Sequence, residues 1–331
     1  AFNAGIGVMN VEHKTGITLD GTTLAAPVIA LETASGGSTR LDMYQGTGGV
    51  FGVTAAYGLV KTSGSNTIAI TDSALTGNEI TAAAGDNGST EVNAVGITGG
   101  LIAAGVIVAQ AENESATAVN ITDSDLKEQT SGSATSKINI SAEKANQVLA
   151  HAAGGAVGAA ALNGVVATAK DTGRSELAVT DNSFFKAGSI SLEAANKPAV
   201  KALADSATLS YFVSGGASVA TAAAEGFVDV SVRDGRLEGD TVSIKGSAGT
   251  QDSKNTAEAK VIGLGGSLYG AAAANVATAR SNMTVDVEVA NNRYKQQTVQ
   301  VEDGFEWQDL GDGTGRRLVP IYKTTQVGLS D

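Results

Sequence analysis

Only two histidines, His13 and His151, occur in the 331-residue chain, and cysteine is absent. Without cysteine there is no thiolate metal site, no disulfide framework and no thiol nucleophile. The histidines fall in different repeats of the pattern described below. A histidine metal centre or a Ser-His-Asp relay would therefore depend on how the repeats stack, and packed or solvated histidines are the expectation. Ser141-Ala-Glu-Lys144 matches S-x-x-K and Lys14-Thr15-Gly16 matches K-T-G, elements of penicillin-recognising serine enzymes. Their order is reversed and no S-D-N element is present, so no such site is assigned. Gly46-Thr-Gly48-Gly49-Val-Phe-Gly52 approaches a dinucleotide fingerprint, but its last glycine comes one position late and no acidic ribose ligand follows. A hairpin turn is predicted there instead. Asp72, Asp123, Asp181 and Asp234 recur at similar intervals. Stacked carboxylates can hold Ca²⁺, but the calcium-binding nonapeptide is missing, and turn capping by the aspartate side chains is the stronger reading. No catalytic, cofactor-binding or metal-binding residue is predicted, and no enzymatic activity.

The composition shows what kind of scaffold carries these residues. Glycine is abundant (42) and proline scarce (3), which excludes a collagen pattern and a proline-rich linker. The apolar 42% is mostly Ala, Val and Ile, with 7 Phe, 6 Tyr and 1 Trp. Cohesion must then come from many small, regular contacts, as in stacked repeats. A formal charge of −12 argues against a nucleic-acid partner, which needs a basic stripe. The longest uncharged apolar run, Gly99 to Ala109, is far shorter than the ~20 residues of a membrane-spanning helix. No signal peptide is visible at Ala1.

Three markers recur in constant order. Glycine doublets fall at Gly48-Gly49, Gly99-Gly100, Gly154-Gly155, Gly215-Gly216 and Gly265-Gly266 and are predicted to be turns. A polar break follows each, at Asp72, Asp123, Asp181, Asp234 and Asn291. A short alternating pair comes next, at Ile80/Ala82, Ile138/Ile140, Ile190/Leu192, Val242/Ile244 and Val299/Val301, with Ile17/Leu19 as a sixth copy near the start. The period-2 alternation of β-branched with polar residues predicts strands. Helix is the rival for the Ala-rich stretches 217–225 and 270–279, but Gly, Thr, Val and Asn interrupt them. Each unit reads as a strand, a Gly-Gly turn, a longer strand, a polar loop, a strand, a polar break and a short strand. Four strands in about 55 residues imply two coils per unit and a rod roughly 50 to 60 Å long, with neighbouring aspartates two rungs apart.

The predicted fold is all-β: an elongated β-solenoid, a right-handed parallel β-helix of about five tandem units of 50–60 residues. Residues 1–40 are assigned to a degenerate first repeat or N-terminal cap, 41–301 to the tandem repeats, and 302–331 to a C-terminal cap or a linker to a further module.

Segments such as Gly99-Gly-Leu-Ile-Ala-Ala-Gly-Val-Ile-Val-Ala-Gln-Ala111 and Ala153-Gly-Gly-Ala-Val-Gly-Ala-Ala-Ala-Leu162 resemble the repetitive passenger regions of large secreted bacterial adhesins, leukotoxin-like and filamentous-haemagglutinin-like, exported by type V secretion. The resemblance runs from Ile17 to Val301. It implies a structural shaft or filament-forming segment at the bacterial cell surface or outside the cell, with no catalytic residues to carry over. The partners it implies are other copies of the chain, adjoining modules of a longer chain, and a host surface or carbohydrate; no cofactor is implied. The alternatives are a subunit of a self-assembling extracellular appendage and a polysaccharide-binding or polysaccharide-cleaving β-helix. The last would need a groove with clustered aromatics and carboxylates.

Overall fold

The computed structural model describes residues 1–129, 135–249, 257–290, 293–294, 299–309 and 316–325, with side-chain surroundings as far as Ala290. Every regular element among them is a β-strand. The first layer is β1 (Phe2–Asp20), β2 (Thr23–Ala25) and β3 (Val28–Ser35), and the second is β4 (Ser38–Thr47), β5 (Phe51–Thr71), β6 (Ala74–Thr76) and β7 (Glu79–Asp86). The third is β8 (Ser89–Thr122), β9 (Asp125–Lys127) and β10 (Lys137–Lys144). The fourth is β11 (Gln147–Asp171), β12 (Arg174–Thr180), β13 (Phe184–Lys186) and β14 (Ser189–Asn196). The fifth is β15 (Ala199–Arg233), β16 (Arg236–Glu238) and β17 (Thr241–Ala248), and the sixth is β18 (Ala257–Ser267), β19 (Gly270–Ala290), β20 (Arg293–Tyr294) and β21 (Val299–Asp309). Corresponding strands pair in parallel in three sheets. Among the described residues the one antiparallel partner is β22 (Arg316–Thr325), which folds back on β21.

Period-2 alternation explains the strands. β7 reads Glu-Ile-Thr-Ala-Ala-Ala-Gly-Asp, and every second residue is buried. The Ala-rich stretches 217–225 and 270–279 are likewise strand, inside β15 and β19. In-register pairing then stacks equivalent residues, so that Ile80, Ile138 and Ile190 lie one above another.

One repeat makes one layer, not two coils. The register moves from Phe2 to Val53, from Phe51 to Ile102 and from Ile102 to Ala160 between neighbouring strands. Residues 112–117 account for the difference: their polar character predicts a loop, but they continue the 34-residue strand β8. Six layers at ~4.8 Å give a stack only ~25 to 30 Å high, whereas the ~22 residues from Leu101 to Thr122 run some 70 Å across it. The molecule is broad across its strands and short along its stacking direction.

Two markers need correction. Ile17 and Leu19 pair with Ile68 and Ile70, not with the Ile80 row, and the first-layer copies of that row are Ile29 and Leu31. Gly48-Gly49 and Gly99-Gly100 are equivalent positions, and Gly158 continues their column. Gly99-Gly100, Gly154-Gly155, Gly215-Gly216 and Gly265-Gly266 lie inside β8, β11, β15 and β18 and are not turns between strands, whereas Gly48-Gly49 links β4 to β5; Gly154 pairs with Gly96, Gly215 with Leu162 and Gly265 with Thr208. What the Gly100 column shares is close approach, since a Cβ on Gly100 would lie 2.3 Å from the Gly49 carbonyl oxygen and one on Gly158 equally near that of Gly100.

The interior has two apolar lobes. The larger is aliphatic, with stacked rows such as Ile68, Val119, Leu177 and Val230, and Leu75, Leu126, Phe185 and Leu237. The smaller is largely alanine, including Ala109, Ala111, Ala150, Ala152, Ala167 and Ala169.

Candidate functional site

The recurring aspartates occupy the tight corners before β6, β9, β13 and β16. Asp72, Asp123, Asp181 and Asp234 all have left-handed backbone (φ 46° to 53°), and Gly21 takes this place in the first layer (φ 57°). Aspartate tolerates that region better than most residues. The adjoining serines lock the corners together: Ser73 N donates to Ser124 Oγ (3.1 Å), while Ser73 Oγ donates to the Thr71 carbonyl (2.7 Å). Thr-Asp-Ser-x-Leu, at 71–75 and 122–126, is the signal in the sequence that marks these serines. Neighbouring aspartates are one layer apart, not two. Desolvation first, then the Asp123 and Asp20 carboxylates, push the Asp72 carboxyl above the ordinary range. Among the described residues no three His, Asp or Glu side chains converge to hold a metal ion. Asn291, the fifth break, lies outside the described residues.

A buried polar seam separates the two lobes. Asp86 accepts from Ser35 Oγ (2.5 Å), Asn146 Nδ2 (2.6 Å) and Ser115 Oγ. Lys144 and Asp171, both fully buried, pair at 2.6 and 2.8 Å, and Asp171 also accepts from Gly173 N (2.9 Å). The seam assembles Ser35, His13 and Asp86, a combination the spacing did not reveal. It lacks relay geometry: Ser35 donates to Asp86, and the same ring nitrogen of His13 faces both Ser35 (3.1 Å) and Asp86 (3.7 Å). Asn66 Nδ2 also donates to Ser35 (2.6 Å), so the group is a hydrogen-bonded clasp between layers. Ser141 and Lys144, three residues apart on a strand, point to opposite faces. His151 lies on the outside, 3.2 Å from Asp205.

Beyond the alanine lobe the layers narrow to an uncharged tip. Residues 94–111, 152–169, 206–224 and 261–279 contain no Asp, Glu, Lys or Arg. The crest carries Phe51, Leu101, Ile102, Tyr211, Phe212 and Tyr269, from 47% to 74% exposed. Phe212 and Tyr269 stack at 5.8 Å between ring centroids, and Tyr211 meets Phe212 edge-on at 4.9 Å. These exposed aromatics lie in stretches without Asp or Glu, so no carboxylates cluster with them there.

The two flanks of the tip differ. The flank before the crest exposes Ile97, Val157, Leu209 and Leu264 nearest the crest and, farther from it, carries Arg40, Asp42, Glu91, His151, Asp205 and Lys201, with ion pairs such as Arg40 to Asp42 (2.8 Å). The flank after the crest is apolar across three neighbouring columns. One column is Phe2, Val53, Ala104, Leu162, Gly215 and Ala272; the next is Ala4, Ala55, Val106, Gly164, Ala217 and Ala274; the third is Ile6, Tyr57, Val108, Val166, Val219 and Val276. Such a contiguous outward apolar face exceeds the scattered exposure normal for a soluble surface.

No protein-family model, curated protein or solved structure matches the chain. Among the described residues no helix is long and apolar enough to cross a membrane.

Proposed function

We propose that the chain is a β-solenoid with one coil per repeat that serves as a structural shaft or filament-forming segment of a secreted or surface-displayed bacterial adhesin, working through its repeated surfaces. The observation that carries the reading is the continuous register: each of the three sheets takes a strand from every layer in the same order. Stacking of this kind makes each layer depend mainly on its neighbours and gives stiffness along the ladder. The resemblance of 99–111 and 153–162 to adhesin passenger repeats supplies the placement at the cell surface. A self-assembling appendage is the related alternative, since the outer edges of β1 and β19 have no strand partner among the described residues and an open edge is a template for another chain.

Small-angle scattering with negative-stain microscopy on the purified chain tests this. The expected particle is a flat body with a radius of gyration near 24 Å, against ~20 Å for a globule of this length. Fibres joined through the stacking direction decide for the appendage, and a compact sphere overturns both readings.

A further inference from the structure

We propose that the uncharged flank after the crest is a self-association face, on which a second copy of the chain packs face to face with its stack running antiparallel. The proposal rests on the solenoid reading above and adds a partner, an orientation and a register.

The orientation follows from the columns. A two-fold axis lying in the interface, perpendicular to the stacking direction, sets each column against itself with the layers reversed. Layer one then meets layer six, two meets five, and three meets four, an isologous contact. In the column nearest the crest this places Phe2 against Ala272, Val53 against Gly215, and Leu162 against Ala104. In the next it places Val106, 54% exposed, against Gly164. Large residues therefore oppose small ones throughout the first column and at the centre of the second, the complementarity that close sheet-on-sheet packing at ~10 Å requires.

Charge agrees with shape. A polar column, Val8, Leu59, Gln110, Thr168, Thr221 and Thr278, borders the apolar ones, and beyond it stand Asn10, Lys61, Glu112, Lys170, Ala223 and Arg280. Layer reversal brings Glu112 of each copy opposite Lys170 of the other, and no like charges meet along this rim. Four columns ~6.6 Å apart over six layers cover roughly 600 Å² in projection. With its rim the face approaches the ~800 Å² per partner of a standard stable interface. The other flank also exposes apolar residues beside the crest, among them Ile97, Val157, Leu209 and Leu264, but Asp205 and the Arg40–Asp42 pair interrupt it within two columns of these.

Sedimentation velocity on the full chain, over a concentration series, gives the test. The expected result is a dimer that weakens by at least about tenfold in Val106→Lys and in Gly164→Leu, with far-UV spectra unchanged. Gly164→Leu is the decisive variant. It points outward, a Cβ there meets only the Gly105 carbonyl oxygen at 3.9 Å, and the added side chain enlarges the apolar area. A nonspecific sticky surface would associate more strongly after that change, whereas a paired face loses its partner. Glu112→Lys alone is expected to weaken the dimer, and Glu112→Lys with Lys170→Glu to restore it. A wild-type chain that stays monomeric to ~100 μM, or a dimer indifferent to these variants, overturns the proposal. So does a monomer that instead sediments with phosphatidylcholine vesicles. Scattering from the Val106→Lys monomer keeps the two readings apart, since a flat monomer leaves the solenoid standing even if pairing fails.

Discussion

The aliphatic and alanine lobes are enclosed by continuous stretches of the same long strands, yet they are built on different principles. In the aliphatic lobe Ile, Leu, Val and Phe fill a wide interior, and each fully buried side chain contributes about 1.5 to 3 kcal/mol through removal from water. In the alanine lobe the facing strands close on methyl groups, so the per-residue gain is smaller and close approach matters more than volume. The polar seam stands where the wide spacing changes to the narrow one. Side chains of graded length, from Lys144 and Asn146 to Ser115 and Ser175, span that change while satisfying one another by hydrogen bonds.

The largest effect is expected at the seam. Lys144→Met leaves Asp171 as a buried, unpaired carboxylate, and loss of one member of such a pair costs about 3 to 5 kcal/mol. Combining it with Asp171→Leu removes the orphaned charge and is expected to recover most of the loss in urea unfolding. If the double variant were as weak as the single one, the seam would owe its role to the shape of Lys144 and not to its charge.

Next come the lobes themselves. Ile140→Ala, at 1% exposure in the aliphatic lobe, is expected to cost about 3 to 4 kcal/mol through lost burial and the cavity left behind. Ala150→Gly, its fully buried counterpart in the alanine lobe, is expected to cost only ~1 kcal/mol. Equal losses in urea midpoints would show that the narrow lobe is as sensitive as the wide one and would remove the distinction.

The contrast also explains what could be seen in advance. The strands and the repeat were legible because outward and inward residues alternate, and because the Ile80, Ile138 and Ile190 row returns in each layer. The layer count was not. Asn113, Ser115 and Thr117 carry the composition of a loop while being fully or almost fully buried in a strand, and only their partners across the seam reveal it. Lys144 and Asp171 meet from different strands, with nothing in their local spacing to mark a pair. The turn aspartates were legible from type and interval, but four of the five glycine doublets lie inside strands, because glycine also marks close packing. The apolar flank was half visible: the uncharged run Gly99 to Ala109 stood out, while the matching of large with small residues needs the register to be known.

The smallest effect separates the outer surfaces by pH. Asp229, half-buried, has its carboxyl pushed upward first by desolvation and then by Asp286 and Glu176. A raised carboxyl binds its proton more readily in the folded chain, so stability increases as pH falls from neutral toward the ordinary aspartate value of ~3.9. Asp72 acts in the same direction. Glu12 and Asp42 act oppositely: hydrogen bonds from Lys14 and Arg40 hold them below the usual range. Their stabilisation is present above the unfolded value and disappears only as pH falls through the lower folded one. The urea midpoint is therefore expected to rise as pH falls from neutral toward the ordinary carboxylate value of about 4 and to decline below it. Asp229→Asn is expected to flatten the first limb and leave the second unchanged. A first limb that persists in full would place its origin in the Asp72 column, and Asp72→Asn would then remove it.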